Sequence, residues 1–172
     1  MIELTKIRRD GGTQARAEIN EATVAEYADA MAEPDTVFPP IIVYYDGKEH
    51  WLADGFHRAA AWDRIGREEV PAEIRQGTQR DAVLHSARAN SAHGLRRTNA
   101  DKRRAVTMLL EDAEWSTWSD REIARQCRVS NHLVADIRSG LTGNSPSEND
   151  QRTYETKHGT TSTMSTSAIG AG

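Results

Sequence analysis

The run Ala53-Asp54-Gly55-Phe56-His57-Arg58-Ala59-Ala60-Ala61-Trp62 requires a strand to give way to a helix within about one residue. Strand-like His50-Trp51-Leu52-Ala53 leads into it, and an alanine-rich helical run follows to Ile65, where Gly66 ends it. The joint carries a glycine, a histidine and an arginine. Glycine lets a ligand approach the backbone, a helix start offers N–H donors, and Arg58 adds a planar fork for phosphate oxygens. The junction therefore reads as an anion site, with His57 as a second cation. The plainer reading is a tight turn with a surface arginine, and Gly-x-His-Arg alone does not decide between them.

Composition sets what can surround that joint. The 172 residues suffice for one ordinary domain or two small ones, and 37% hydrophobic against 28% charged residues gives a modest core. No run of about 18 apolar residues suggests a membrane span. The first residues lack the apolar stretch of a signal peptide. Cys127 is the single cysteine, which rules out an intrachain disulfide and a cysteine-rich metal site. These features predict a cytoplasmic protein without a membrane partner. His50, His85 and His93 have no metal-ligand spacing, and no metal site is assigned. The net charge of −4 conceals an asymmetry: residues 86–141 carry ten Lys/Arg against seven Asp/Glu, and the remainder twelve against nineteen. A local basic region is what a polyanion contact needs.

Periodicity divides the chain in three. Residues 1–89 read as mixed α/β. They include a helix over 21–31, breaks at Pro34 and Pro39-Pro40, a strand over 41–45, a two-residue hairpin turn at Asp46-Gly47, an edge strand over 70–75 containing Pro71, and a helix over 78–89. Residues 90–142 read as all helix. A helix opens at Asn99-Ala100-Asp101. Ser119-Asp120-Arg121-Glu122 is a capping box, and Ser130 caps a second short helix. Two short helices joined at Cys127-Arg128-Val129 make a helix-turn-helix pattern. Ala124 is small enough for close helix approach, and Val134 and Ile137 face the first helix. Ser130, Asn131, His132 and Arg138 are then candidates for a DNA groove. Arg128 occupies a turn position that usually holds glycine, at a strain of about 1 kcal/mol. Arg96-Arg97 and Lys102-Arg103-Arg104 form basic clusters, with Arg96, Arg97, Arg103 and Arg104 as candidate phosphate-backbone contacts. Trp115 and Trp118 read as core or capping contacts. Residues 143–172, rich in Gly, Ser, Thr and Asn, are expected to be a disordered tail.

The order of elements resembles a known family. Asp10-Gly11-Gly12-Thr13-Gln14-Ala15-Arg16, the helix ending Ala28-Asp29-Ala30-Met31, Phe38-Pro39-Pro40-Ile41-Ile42-Val43 and the Gly55–Arg58 joint follow one another as in the ParB-like branch of the ParB/sulfiredoxin superfamily. The resemblance covers residues 1–141. It implies an α+β chain: a ParB/sulfiredoxin-like N-terminal α/β domain, then an all-α helix-turn-helix domain. It also implies a nucleotide or phosphate site built from Gln14, Arg16, Gly55, His57, Arg58 and Asn90, taking CTP or ATP with Mg2+. The loop reads Gly-Glu-Arg-Arg in ParB and Gly-Cys-His-Arg in sulfiredoxin. Phe56 stands where sulfiredoxin keeps its catalytic cysteine, and phenylalanine is no nucleophile, so sulfiredoxin activity is excluded. Ala89-Asn90 stands where ParB has Glu-Asn, with His93 or Arg96 as the following basic residue. Losing that carboxylate argues against ParB-type CTP hydrolysis. The resemblance thus implies a DNA-binding ParB-like protein, of the plasmid- or phage-regulator type or related to partition. The alternative is a nuclease or nucleoside triphosphatase using the same loop, with Asp54 and His57 as acid/base candidates. A homodimer is left open.

Overall fold

The computed structural model describes residues 1–89, 95–141, 151–156 and 159–165. It is α+β, and its contacts separate residues Met1–Asp101 from Lys102–Gly172. The first unit reaches past the sequence-based boundary at residue 89 because Asp101 is tied back to it. The Ala17 N–H donates to Asp101 Oδ1 at 2.9 Å and the Arg16 guanidinium to Oδ2 at 3.1 Å.

The first unit is built on a four-stranded sheet. Its strands are β2 (Ile7–Arg8), β3 (Ile41–Tyr45), β4 (His50–Asp54) and β6 (Ala72–Gln76), in the order β2-β4-β3-β6. β3 and β4 are antiparallel; β2 runs parallel to β4, and β6 parallel to β3. A separate antiparallel pair joins β1 (Ile2–Glu3) to β5 (Glu69–Val70). These short N-terminal strands have no signature in the sequence. Pro71 divides the expected 70–75 strand: it has no N–H to donate, but its carbonyl accepts the Ile41 N–H at 3.0 Å, so the chain changes partner there. β6 lies at the sheet edge, as the proline suggested. Ile2, Leu4, Ile7, Ile41, Val43, Leu52, Val70 and Trp62 form the main core under the helix α2 (Phe56–Arg64). The helix α1 (Glu21–Ala32), capped by the Asn20 side chain, packs Val24 and Ala28 on Ala61 of α2. The helix α3 (Gln79–Arg88) starts at a complete Thr78/Asp81 capping box.

The hairpin between β3 and β4 is longer than its Asp-Gly signal predicts. Asp46 carboxylate oxygens accept the N–H groups of Glu49 and Lys48 and the Trp51 indole N–H. Those bonds, the one from Glu49 first, hold the Asp46 carboxyl at a pKa of about 2. An aspartate that folds back on its own loop favours this wider turn over a two-residue one.

The second unit holds most of the helix α4 (Asn99–Leu110), a 3-10 turn over Trp115–Thr117, and the helices α5 (Asp120–Cys127) and α6 (Asn131–Leu141). Val106, Leu109, Trp115, Ile123, Ala124, Cys127 and Val134 are buried. Ser119 Oγ accepts the Glu122 N–H at 3.1 Å, while the Glu122 carboxylate takes Arg125 and Gln126. Arg128 does adopt the left-handed conformation, at φ 53°. Within the expected tail, the described residues include a pair of strands. β7 (Gln151–Glu155) and β8 (Thr161–Ser165) pair antiparallel, and Ser119 N–H donates to the Thr153 carbonyl at 2.8 Å. The threonine content that reads as low complexity is also β-branched, and Gly159 supplies a turn at φ +80°.

Substitutions at two positions test these joints. Gly55 has φ +93°, and a Cβ there would lie 2.5 Å from Ile41 Cγ2. Gly55→Ala is expected to cost about 2–4 kcal/mol, read as a lowered urea midpoint. Arg128→Val, which puts a β-branched residue at positive φ, is expected to cost about 1–2 kcal/mol, whereas Arg128→Gly loses nothing. Equal midpoints for the two Arg128 variants would contradict the left-handed turn.

Candidate functional site

The strand-to-helix joint opens onto a cavity of about 300 Å3 in the first unit. Gly55, in the left-handed conformation, is the N-cap of α2, and its carbonyl accepts the Ala59 N–H at 2.8 Å. With no side chain on the cap, the first-turn N–H groups of Phe56, His57 and Arg58 belong to the α2 start that lines the cavity. A helix start with positive dipole end and unengaged amides receives anions.

The side chains expected to add charge do something else. Arg58 is buried: Nη1 donates to the carbonyls of Pro39 at 2.9 Å and Pro40 at 3.2 Å, and Nη2 to Asp54 Oδ2 at 2.9 Å. It fastens the segment entering β3 to the start of α2. His57 is also buried, and its Nε2 accepts the Asn20 N–H at 3.0 Å. The ring is then a neutral imidazole with its proton on Nδ1. Burial, followed by the nearby Arg16 charge, pushes its pKa below the ordinary value. The expected second cation is thus a neutral donor that also braces the N-cap of α1.

The opposite wall comes from residues 14–16, 86–89 and 95–97. Gln14 Oε1 accepts the Arg16 N–H at 3.0 Å, and the Ala15 N–H donates to Ser86 Oγ at 3.2 Å. The Arg16 guanidinium donates to Asp101 and to the carbonyls of Arg96 and Leu95. Burial acts to raise the Asp101 pKa. The N–H groups of Ala17 and Thr98, the Thr98 hydroxyl and the Arg16 charge outweigh it and hold the carboxyl below its ordinary value. Arg97, expected on DNA, lines this cavity instead and donates to the Ala87 carbonyl at 3.3 Å. Sequence reasoning missed this placement because Arg97 adjoins exposed Arg96 in an apparently uniform basic pair. It also missed Asn20 and Ser86, whose roles run through single backbone bonds. Asn90 and His93 lie outside the described residues.

The chemistry of the lining bears on what the cavity accepts. A Cβ at position 55 would meet Ile41 Cγ2 and the Arg58 guanidinium, so the helix start there carries no side chain of its own. Gly55, the α2 amides, Gln14 and Arg97 fit a phosphate-bearing group. The carboxylates lining the cavity are Asp54, engaged by Arg58, and Glu73, engaged by Arg75 at 2.8 Å. They are not set out as a pair of cation ligands, so the donor set suits phosphate oxygens better than a metal ion.

In the second unit, Ser130, Asn131 and His132 are exposed at the start of α6, and Ser130 Oγ accepts the Leu133 N–H at 3.3 Å. Arg103 and Arg104 are exposed on α4, as are Arg121 and Arg128 around α5. Arg138, expected to face a groove, points inward. Its guanidinium donates to Asp120 Oδ1 at 2.7 Å and to the carbonyls of Ser116 and Trp118 at 2.8 and 2.9 Å. It braces the loop before α5, because those carbonyls lie outside any helix ladder and need donors.

Comparison with known proteins agrees with this architecture. The chain is 31% identical over 117 residues to "Transcriptional regulator NovG" of Streptomyces niveus, covering 68% of this chain and 36% of that protein. It is 29% identical over 124 residues to "Streptomycin biosynthesis operon possible regulatory protein" of Streptomyces griseus, covering 72% of this chain and 34% of that one. It therefore spans about a third of the length of these curated relatives. Among solved structures it is similar to the C-terminally truncated chromosome-partitioning protein ParB of Caulobacter crescentus complexed to the centromeric parS site. That likeness has a TM-score of 0.51 and 17% identity, and covers 81% of this chain and 70% of that one. The model of the ParB N-terminal domain matches residues 1–91, more than half of the sequence, and the chain belongs to that family.

Proposed function

We propose that this protein is a DNA-binding regulator in which α5 and α6 form a helix-turn-helix and the cavity at Gly55 binds the phosphates of a nucleotide. The observation that carries the reading is the exposed Ser130-Asn131-His132 start of α6, which follows a left-handed turn at Arg128. A short polar helix start of this kind enters a major groove, with Asn131 suited to adenine and His132 to a base edge or phosphate. Exposed Arg103, Arg104, Arg121 and Arg128 supply backbone contacts, joined by Arg96 from the preceding segment. The regulatory relatives favour transcriptional control over a partition role, plasmid-borne or chromosomal.

In the cavity, the α2 amides hold the phosphate oxygens, Gln14 and Arg97 flank them, and neutral His57 offers its Nδ1 proton. CTP or ATP fits this description, and a bound triphosphate brings its own Mg2+ when the metal is required. Arg16 and Arg58 act by positioning: they hold the two walls through Asp101 and Asp54. Hydrolysis or strand cleavage through Asp54 and His57 is the weaker reading, since the first is engaged by Arg58 and the second by the Asn20 amide. The same engagements favour binding.

Two measurements test the two halves of the proposal separately. Fluorescence anisotropy with duplex DNA across a salt series is expected to give a linear fall of log K with log salt. Arg103→Ala should weaken binding to all sequences and reduce the slope by about 1. Asn131→Ala should instead relax sequence preference by about 1–3 kcal/mol at one position. A salt-independent signal removes the DNA reading. Thermal denaturation with each NTP and Mg2+ is expected to show stabilisation by one of them, about 2.7 kcal/mol at a hundredfold excess over Kd, and Arg97→Ala should diminish it. Identical transitions with and without all four nucleotides remove the cavity reading and leave the DNA reading standing.

A further inference from the structure

β6 ends the four-stranded sheet, and among the described residues no strand pairs with its outer edge. The phase of its hydrogen bonds follows from the two bonds that bracket it: Ile41 N–H to the Pro71 carbonyl, and Gly77 N–H to the Tyr45 carbonyl. In a parallel ladder, alternate residues of a strand direct both N–H and C=O to the same neighbour. Pro71, Glu73, Arg75 and Gly77 therefore face β3, in keeping with the register that aligns Ile41 with Ala72 and Tyr45 with Gln76. Ala72, Ile74 and Gln76 turn their amides and carbonyls outward. Ile74 also leaves 46% of its surface exposed, the largest apolar exposure in the sheet.

The sequence of this edge is complementary to itself. We propose that β6 is a homodimerisation edge that pairs antiparallel with β6 of a second copy, centred on Ile74. In that register the two Ile74 residues exchange both backbone bonds, and so does each Ala72 with the Gln76 opposite. Glu73 then lies directly across from Arg75 of the second copy, twice by symmetry, at the positions where antiparallel side chains approach closest. A two-fold axis at Ile74 needs nothing beyond one strand to close the interface. Within the protomer Glu73 and Arg75 already pair at 2.8 Å, and Arg75 Nη1 lies 3.3 Å from His85 Nδ1 on the same face. Both side chains are thus held on one side of the sheet, where the second copy's pair would meet them. A one-residue slip in either direction would place an outward-turned residue opposite an inward-turned one, so the charge pattern and the hydrogen-bond phase select the same register. Unprotected edges in natural sheets are shortened, bulged or given unpaired charge. This one carries opposite charges spaced to neutralise one another in an antiparallel copy. The proposal does not rest on the DNA or nucleotide reading, although Glu73 also lines the cavity.

The test is sedimentation equilibrium on the full chain. An interface confined to one strand is small, so the wild type is expected to dimerise with a Kd on the order of 10–100 μM. Glu73→Arg and Arg75→Glu each set like charges across the interface twice and should weaken self-association at least about tenfold. Mixing those two variants restores opposite charges and should yield a heterodimer. The doubly exchanged Glu73→Arg/Arg75→Glu chain should recover the homodimer. Ile74→Pro keeps the ladder to β3, because the Ile74 N–H points away from it, yet it should be monomeric; its circular dichroism reports whether the fold is intact. A wild type that stays monomeric to millimolar concentration overturns the proposal. So does a dimer indifferent to Glu73→Arg, or a mixture that stays monomeric while both variants are folded.

Discussion

Two consecutive prolines bring the carbonyls of Pro39 and Pro40 to the entry of β3, and the guanidinium of Arg58 donates to both while its other arm holds Asp54. The rest of the first unit depends on this fork. Asp54 is the last residue of β4 and Arg58 lies one turn into α2, so one buried cation fixes where β3 begins, where β4 ends and how α2 leaves the sheet. Removing the guanidinium costs about 1–3 kcal/mol for each carbonyl left without a donor, and less for Asp54, which stays partly open to water. Gly55 is part of the same constraint. Arg58 Nη2 passes 2.8 Å from where a Cβ of residue 55 would stand, so the glycine is needed to admit the guanidinium as well as to turn the chain.

The pattern recurs at Arg16 and Arg138. Each was expected to meet an external phosphate or base, and each instead joins a carboxylate to backbone carbonyls of a loop. The physical reason is common to all three. Irregular segments beside a core have carbonyls that no helix or strand satisfies, and an arginine fork supplies several donors from one side chain. A sequence displays the arginine and not the carbonyls it will find. Counting arginines therefore overstates the charge available to a ligand. The arginines left exposed stand around α4, α5 and the turn at Arg128.

Much of the fold was legible where a residue's own chemistry decides its backbone. Ile41-Ile42-Val43-Tyr44-Tyr45 reads as a strand and is one, over the same bounds, and Pro71 correctly points to a sheet edge. The Asn99 and Ser119 starts are equally plain. The strands at Ile2–Glu3 and Ile7–Arg8 were not legible, because two-residue strands have no periodicity and exist through partners far along the chain. The hairpin over residues 151–165 was hidden by composition: threonine lowers apparent complexity while favouring extended backbone. At the site, the residue types near Gly55 were legible and their roles were not. His57 read as a cation and is a buried acceptor, and Arg97 read as a DNA contact and lines the cavity.

These reassignments give the two proposed binding regions different physical characters. In the cavity, Arg58 and Arg16 are neutralised by Asp54 and Asp101, and His57 is uncharged. On the proposed reading, attraction for an anion there rests on short, directed N–H donors from α2, with Arg97 at the wall. Such donors act over a few ångströms, lie partly shielded from water, and respond little to ionic strength. The exposed arginines of the second unit act through a field that reaches roughly a Debye length and weakens as salt rises. On that reading one region would select by geometry and the other would recruit by charge. On the proposed reading, a phosphate-bearing ligand and a DNA duplex would be told apart by the kind of contact each needs: directed amides for the first and a screened field for the second.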